Sequence, residues 1–155
     1  MVTAERISQS TRSHGVYTGT LAIISAERKK RRILLMKYSI PDKRELTKSE
    51  IEFLTYLFGK EKSEWTNLIG NLKVIARCGC GKCPTVMFGK TFDSEIQKGN
   101  LIIDYAGKGQ NGELIGISLF GTDQMPTELE FYSIDGESDI TELPKIETLK
   151  RAEYN

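Results

Sequence analysis

Histidine is almost missing from this sequence. Its 155 residues include one, His14, which stands in a basic leader and not among the patterned segments. That scarcity sets aside His-dependent triads and most catalytic zinc sites. Long apolar runs are missing as well. The four-residue stretches at 21–24 and 33–36 fall far short of the ~18–20 residues that span a bilayer. No charged-apolar-cleavable order of a secretory signal is present either. Cysteine is scarce and oddly placed: three residues, all within six positions. An odd count with such short spacings makes a poor disulfide framework, so a reducing, cytoplasmic setting is expected. A phosphate-binding Gly-x-x-x-x-Gly-Lys-Ser/Thr loop is also absent. Residues 107–112 contain glycines and Lys108 but no such order, and are read as a hairpin loop.

The composition is that of an ordinary globular domain, with 39% apolar and 28% charged residues, enough to bury a core without covalent staples. The net charge of +1 conceals an asymmetry. Residues 1–35 hold seven basic against two acidic side chains, a net of +5; the rest hold fifteen basic against nineteen acidic, a net of −4. The leader, 1–35, is read as disordered and has no periodicity. A single α+β domain is expected over 36–155, opening naturally at Met36, and the leader adds nothing that this fold needs. The mild acidity of the domain speaks against a nucleic-acid partner, except through the basic run at 28–32.

The first clear element begins at Thr47. Thr47-Lys-Ser-Glu50 has the form of a capping box, followed by Ile51, Leu54, Leu57 and Phe58 at helical spacing and by Gly59 as a stop. A second helix is expected from Ser63, burying Trp65, Leu68 and Ile69 and ending at Gly70. Beyond it the texture becomes that of strands, at 72–76, 85–88, 101–105, 113–120 and 129–134. Short turn-like connections complete the expected architecture: an N-terminal helix pair packed on an antiparallel meander of about five strands.

One segment looks like chemistry: Cys78-Gly-Cys80-Gly-Lys-Cys83-Pro84. Glycine at two of the three intervening positions lets the backbone turn tightly, so the three sulfurs of Cys78, Cys80 and Cys83 could converge. Zinc would accept thiolates at about 2.3 Å but prefers four ligands, and copper(I) is content with two or three. A fourth cysteine is missing, and Asp93 or Asp104 could serve in its place, although nothing in the sequence selects them. The alternative is a glycine-rich turn between strands, its thiols packed as small apolar groups, with Pro84 opening a strand. A third reading is redox. Cys80-Gly-Lys-Cys83 with a later Pro126-Thr127 resembles the order in thioredoxin-like proteins, and Lys82 could favour a thiolate. Against it, residues 84–89 favour a strand where that family has a helix.

Several short motifs resemble, in order, a group of small bacterial proteins of unknown function. They are Leu46-Thr-Lys-Ser-Glu-Ile-Glu-Phe-Leu, Leu68-Ile-Gly-Asn-Leu-Lys-Val, Cys80-Gly-Lys-Cys-Pro-Thr-Val, Thr127-Glu-Leu-Glu-Phe-Tyr-Ser-Ile-Asp-Gly and Leu143-Pro-Lys-Ile-Glu-Thr-Leu. The resemblance covers about 46–149 and implies an α+β fold without implying an activity. No constellation specifies a reaction. The expected function is therefore a non-catalytic cytoplasmic binding or accessory protein with a protein partner, no membrane association and no obligatory cofactor. The alternative is a thiol-based zinc, copper or redox site.

Overall fold

Thr47 turns the chain from strand into helix. Its hydroxyl accepts from the Glu50 amide at 3.2 Å, while the Glu50 carboxylate accepts from the Thr47 amide at 2.7 Å, so two orphan donors of the first turn are satisfied. The helix that follows, α1 (Lys48–Glu61), runs through Gly59 and a further two residues. Phe53, Leu54, Leu57 and Phe58 face inward, and Ile51 is exposed. The next segment, Ser63–Asn71, is a 3₁₀ helix that buries Trp65 and Ile69. It lacks a side-chain cap, and Gly70 lies inside it.

The computed structural model describes residues 39–153. The expectations for the leader at 1–35, for a start at Met36 and for His14 lie outside the described residues. Seven strands make one sheet: β1 (Ser39–Glu45), β2 (Lys73–Cys78), β3 (Val86–Gly89), β4 (Asn100–Lys108), β5 (Leu114–Gly121), β6 (Pro126–Ser133) and β7 (Lys150–Arg151). Their order is β1-β2-β3-β6-β5-β4-β7, with every pairing antiparallel.

The expected helix pair ahead of a five-stranded meander is therefore corrected in four respects. The helices follow the first strand, the second is 3₁₀, and the sheet has seven strands. The physical reason lies in the two added strands. β1 is an edge strand of sequence Ser-Ile-Pro-Asp-Lys-Arg-Glu, polar on both faces, so it shows no alternation to read. Pro41 is tolerated there because an edge strand has amides that need no partner. β7 is only two residues long, below any periodic signal. The order is not a meander either. The connection 90–99 carries the chain past β6 and β5 to β4, and β3 then pairs with the returning β6 through Val86–Leu129 and Met87–Glu128, a Greek-key order.

One face of the sheet, with Val86, Phe88, Ile103, Tyr105, Ile115, Ile117, Leu119, Leu129 and Phe131, packs under α1 and the 3₁₀ helix. Phe53 meets Phe131 at 5.5 Å between ring centroids, and Phe58 meets Trp65 edge-on at 5.6 Å. Two polar ties orient the helix. Arg44 of β1 forks onto both Glu50 oxygens at 2.8 Å. Burial alone would raise the Glu50 carboxyl, but the Arg44 fork and the Thr47 amide outweigh it and hold Glu50 below the usual carboxylate range. At the other end, the Tyr105 hydroxyl donates to Glu61 at 2.7 Å.

The second face is unlike the first. By register, Asp104, Ser118 and Glu130 lie in one row across β4, β5 and β6, beside a row of Phe120, Glu128 and Met87. Glu128 and Glu130 are half-buried, not on an open solvated face. Burial, reinforced by Glu130, pushes the Glu128 carboxyl up to about 7, and burial with nearby Asp104 raises Glu130. The sign of the consequence follows. Because the folded value lies above the ordinary 4.5, the stabilising contribution is complete below pH 4.5 and is lost as pH rises through about 7. Glu128→Gln is accordingly expected to stabilise the domain at pH 8 by ~1–2 kcal/mol after discounting for solvent screening. The gain should vanish at pH 4. Urea midpoints followed by Trp65 fluorescence check this, and an equal gain at both pH values would refute it.

Candidate metal centre

The three cysteines occupy the β2–β3 hairpin. Cys78 is the last residue of β2, where its amide donates to the Thr85 carbonyl at 3.1 Å and keeps it in the ladder. The Gly81 amide then donates to the Cys78 carbonyl at 3.1 Å, closing a turn. Gly81 has φ of +71°, a conformation that glycine adopts at little cost. The base of this hairpin is stitched to the sheet from below. The buried Thr85 hydroxyl accepts from the Phe131 amide of β6 at 2.9 Å. A tight turn therefore stands on a rigid footing.

This geometry brings the sulfurs together. The Sγ atoms of Cys78, Cys80 and Cys83 all lie within 4.8 Å of one another, and Cys80 and Cys83 are 3.2 Å apart. The amides of Lys82 and Cys83 point at the Cys80 sulfur, at 3.4 and 3.2 Å. Burial would push the Cys80 thiol up, but the Cys83 and Lys82 amides and the neighbouring thiols outweigh it and bring Cys80 down to about 7. Cys78 goes the other way. Burial, with the adjacent thiols, pushes it up to about 12. The two cysteines are thus electrostatically unlike, one ready to be a thiolate and one needing a cation nearby to lose its proton.

Lys82 does not act as its side chain suggested. Its ammonium reaches Asp139 at 3.5 Å, and it is the Lys82 backbone amide that serves Cys80. Neither carboxylate considered as a fourth ligand joins the cluster. Asp93 is paired with Lys43 at 2.8 Å. Asp104 sits on β4, four strands along from β2, which at ~4.8 Å per strand is about 19 Å away. Among the described residues the only group of metal-ligating side chains this close is the three cysteines. The amide donors and the Thr85 anchor carry no residue-type signal; only the glycine-bearing Cys-x-x-Cys spacing hints at the former.

The donor set suits a thiophilic ion. Three thiolates match zinc(II) or copper(I) in softness, two amide hydrogen bonds steady the charge on one of them, and Cys80 is exposed, which gives an entry path. A recess of ≈ 120 Å³ beside Phe88, Gly89, Ser94 and Met125 is well below the ~300–1,000 Å³ of an ordinary small-molecule site. No helix among the described residues is long and apolar enough to cross a membrane.

No protein-family model, curated protein or solved structure matches this chain. The chemistry of the site rests on its own residues.

Proposed function

We propose that this domain is a metal-binding module that takes one thiophilic ion, zinc(II) or copper(I), on Cys78, Cys80 and Cys83. The observation that carries the reading is the convergence of the three sulfurs within 4.8 Å on one hairpin. The hairpin projects from the sheet beyond the buried core, so the ion would not be the fold's keystone. It would complete a local three-thiolate site, a role in holding or passing on metal and not in scaffolding.

The partner-binding reading draws on a different place, the carboxylates Asp104, Glu130 and Glu128 in two adjacent rows on the second sheet face. Its support is weaker, because a carboxyl raised to about 7 is about half protonated at neutral pH and presents less charge to a partner.

The test is elemental analysis and cobalt(II) titration of the reduced full chain. One metal per chain is expected, with the sulfur-to-cobalt charge-transfer band of a thiolate site. A reduced protein whose three thiols titrate freely, and equally fast with and without zinc, would remove the reading.

A further inference from the structure

One distance within the cluster is short, and it has a chemical meaning. In a tetrahedron with metal–sulfur bonds of about 2.3 Å, neighbouring sulfurs lie about 3.8 Å apart. Cys80 and Cys83 are closer than that, at 3.2 Å, and need to approach by only about 1.2 Å more to reach bonding distance. They also share one short turn of backbone. Both ride the turn on either side of Gly81, whereas Cys78 is held in the β2 ladder by its bond to Thr85. Cys80 is the exposed member of the three, the sulfur that a dissolved oxidant meets first.

We infer that the site is redox-gated: a hydroperoxide oxidises Cys80 and Cys83 to a disulfide, and the bound metal is discharged. This rests on the metal-binding reading and supplies its regulation. The chemistry balances with a hydroperoxide as oxidant. The Cys80 sulfur attacks one peroxide oxygen, the O–O bond breaks, and the sulfur becomes a sulfenic acid as an alcohol or water departs. The Cys83 sulfur then attacks the sulfenic sulfur; the S–S bond forms, the S–O bond breaks and water leaves. Two thiols and one hydroperoxide give one disulfide, one water and one alcohol or second water. When the sulfurs start as metal-bound thiolates, the two protons come from solvent. Two of the three ligands are consumed together, and the one left, Cys78, cannot hold the ion alone. A thiol reductant restores the pair and with it the site.

Trypsin makes the assignment direct, because cleavage after Lys82 puts Cys78 and Cys80 in one peptide and Cys83 in the next. The reduced full chain is first loaded with zinc and its stoichiometry measured. Hydrogen peroxide is then added with a chromogenic chelator present, free thiols are alkylated, and the digest is sequenced by mass spectrometry. The expected result is release of the bound zinc in step with a 78–82/83–90 cross-linked peptide pair in which Cys78 is alkylated. Cys78→Ser should form the same cross-link, and dithiothreitol should restore zinc uptake in the native chain. Zinc retained under peroxide, or a disulfide that involves Cys78, overturns the switch and leaves the metal site standing. A reduced chain that takes no zinc before oxidant is added overturns the metal reading, and the switch with it.

Discussion

Serine in place of Cys83 is expected to lower cobalt(II) and zinc(II) affinity by about 100-fold or more. Loss of a residue that merely orients a ligand costs on the order of 10–100-fold, and here a ligand itself is lost, leaving two sulfurs. The same change should leave far-UV circular dichroism and the Trp65 fluorescence maximum unaltered, because the turn stands outside the core that contains Phe53, Phe58 and Trp65. Lys82→Ala is the informative control. Its amide, not its side chain, donates to the Cys80 sulfur, so affinity should stay within a few-fold of the native chain. Competition against a chromophoric chelator reads both variants. Equal binding by Cys83→Ser and the native chain would show that the sulfurs do not act together.

Phe53→Ala is expected to cost ~3–5 kcal/mol. The ring is 1% exposed and packs at 5.5 Å against Phe131, so it joins α1 to β6, the strand on which β3 and the central hairpin meet. Truncation leaves a cavity at that junction which neither the helix nor a hydrogen-bonded sheet can readily close. With a urea slope of ~1–3 kcal/mol per M, the midpoint should fall by more than ~1 M against a total stability of ~5–15 kcal/mol. A loss under about 1 kcal/mol would mean that α1 is not docked as described. Zinc affinity measured well below the new midpoint should change little, since Thr85 anchors the hairpin through Phe131 backbone atoms that the substitution leaves in place.

What could be read in advance divides along physical lines. The capping box at Thr47 was legible because its two hydrogen bonds span three residues and depend on nothing else. The central strands were legible because they alternate: Ile115, Ile117 and Leu119 repeat every second residue and all three are fully buried. β1 and β7 were illegible because their place in the sheet is conferred by partners. Ser39–Glu45 pairs with Lys73–Cys78 although nothing in its own residues favours a strand. The end of α1 was misread at Gly59, a residue that serves as a stop only where the packing lets the helix end. Ile51 shares the helical spacing of Leu54, Leu57 and Phe58 yet is exposed, and Phe53 is buried in its stead, because the register of a short amphipathic helix depends on the face its neighbours offer. Glu50 shows a further kind of hidden content. The sequence assigns it to the cap, and only the fold adds Arg44, whose fork makes a carboxylate tolerable at 7% exposure.

By itself, the sequence determined which residues could do chemistry and that a tight, glycine-bearing turn would present them. Three thiols at Cys-x-Cys-x-x-Cys spacing follow from covalent connectivity alone. The tertiary structure decided that the sulfurs converge, that Asp93 and Asp104 are elsewhere, that the amides of Lys82 and Cys83 face Cys80, and that Glu128 is half-buried. The places of Asp93, Asp104 and Glu128 depend on contacts between residues distant in the chain, whereas the amides reach Cys80 across only two and three residues, through a turn geometry that residue type does not encode. Local propensity is blind to such terms, and long-range pairing and burial supply them.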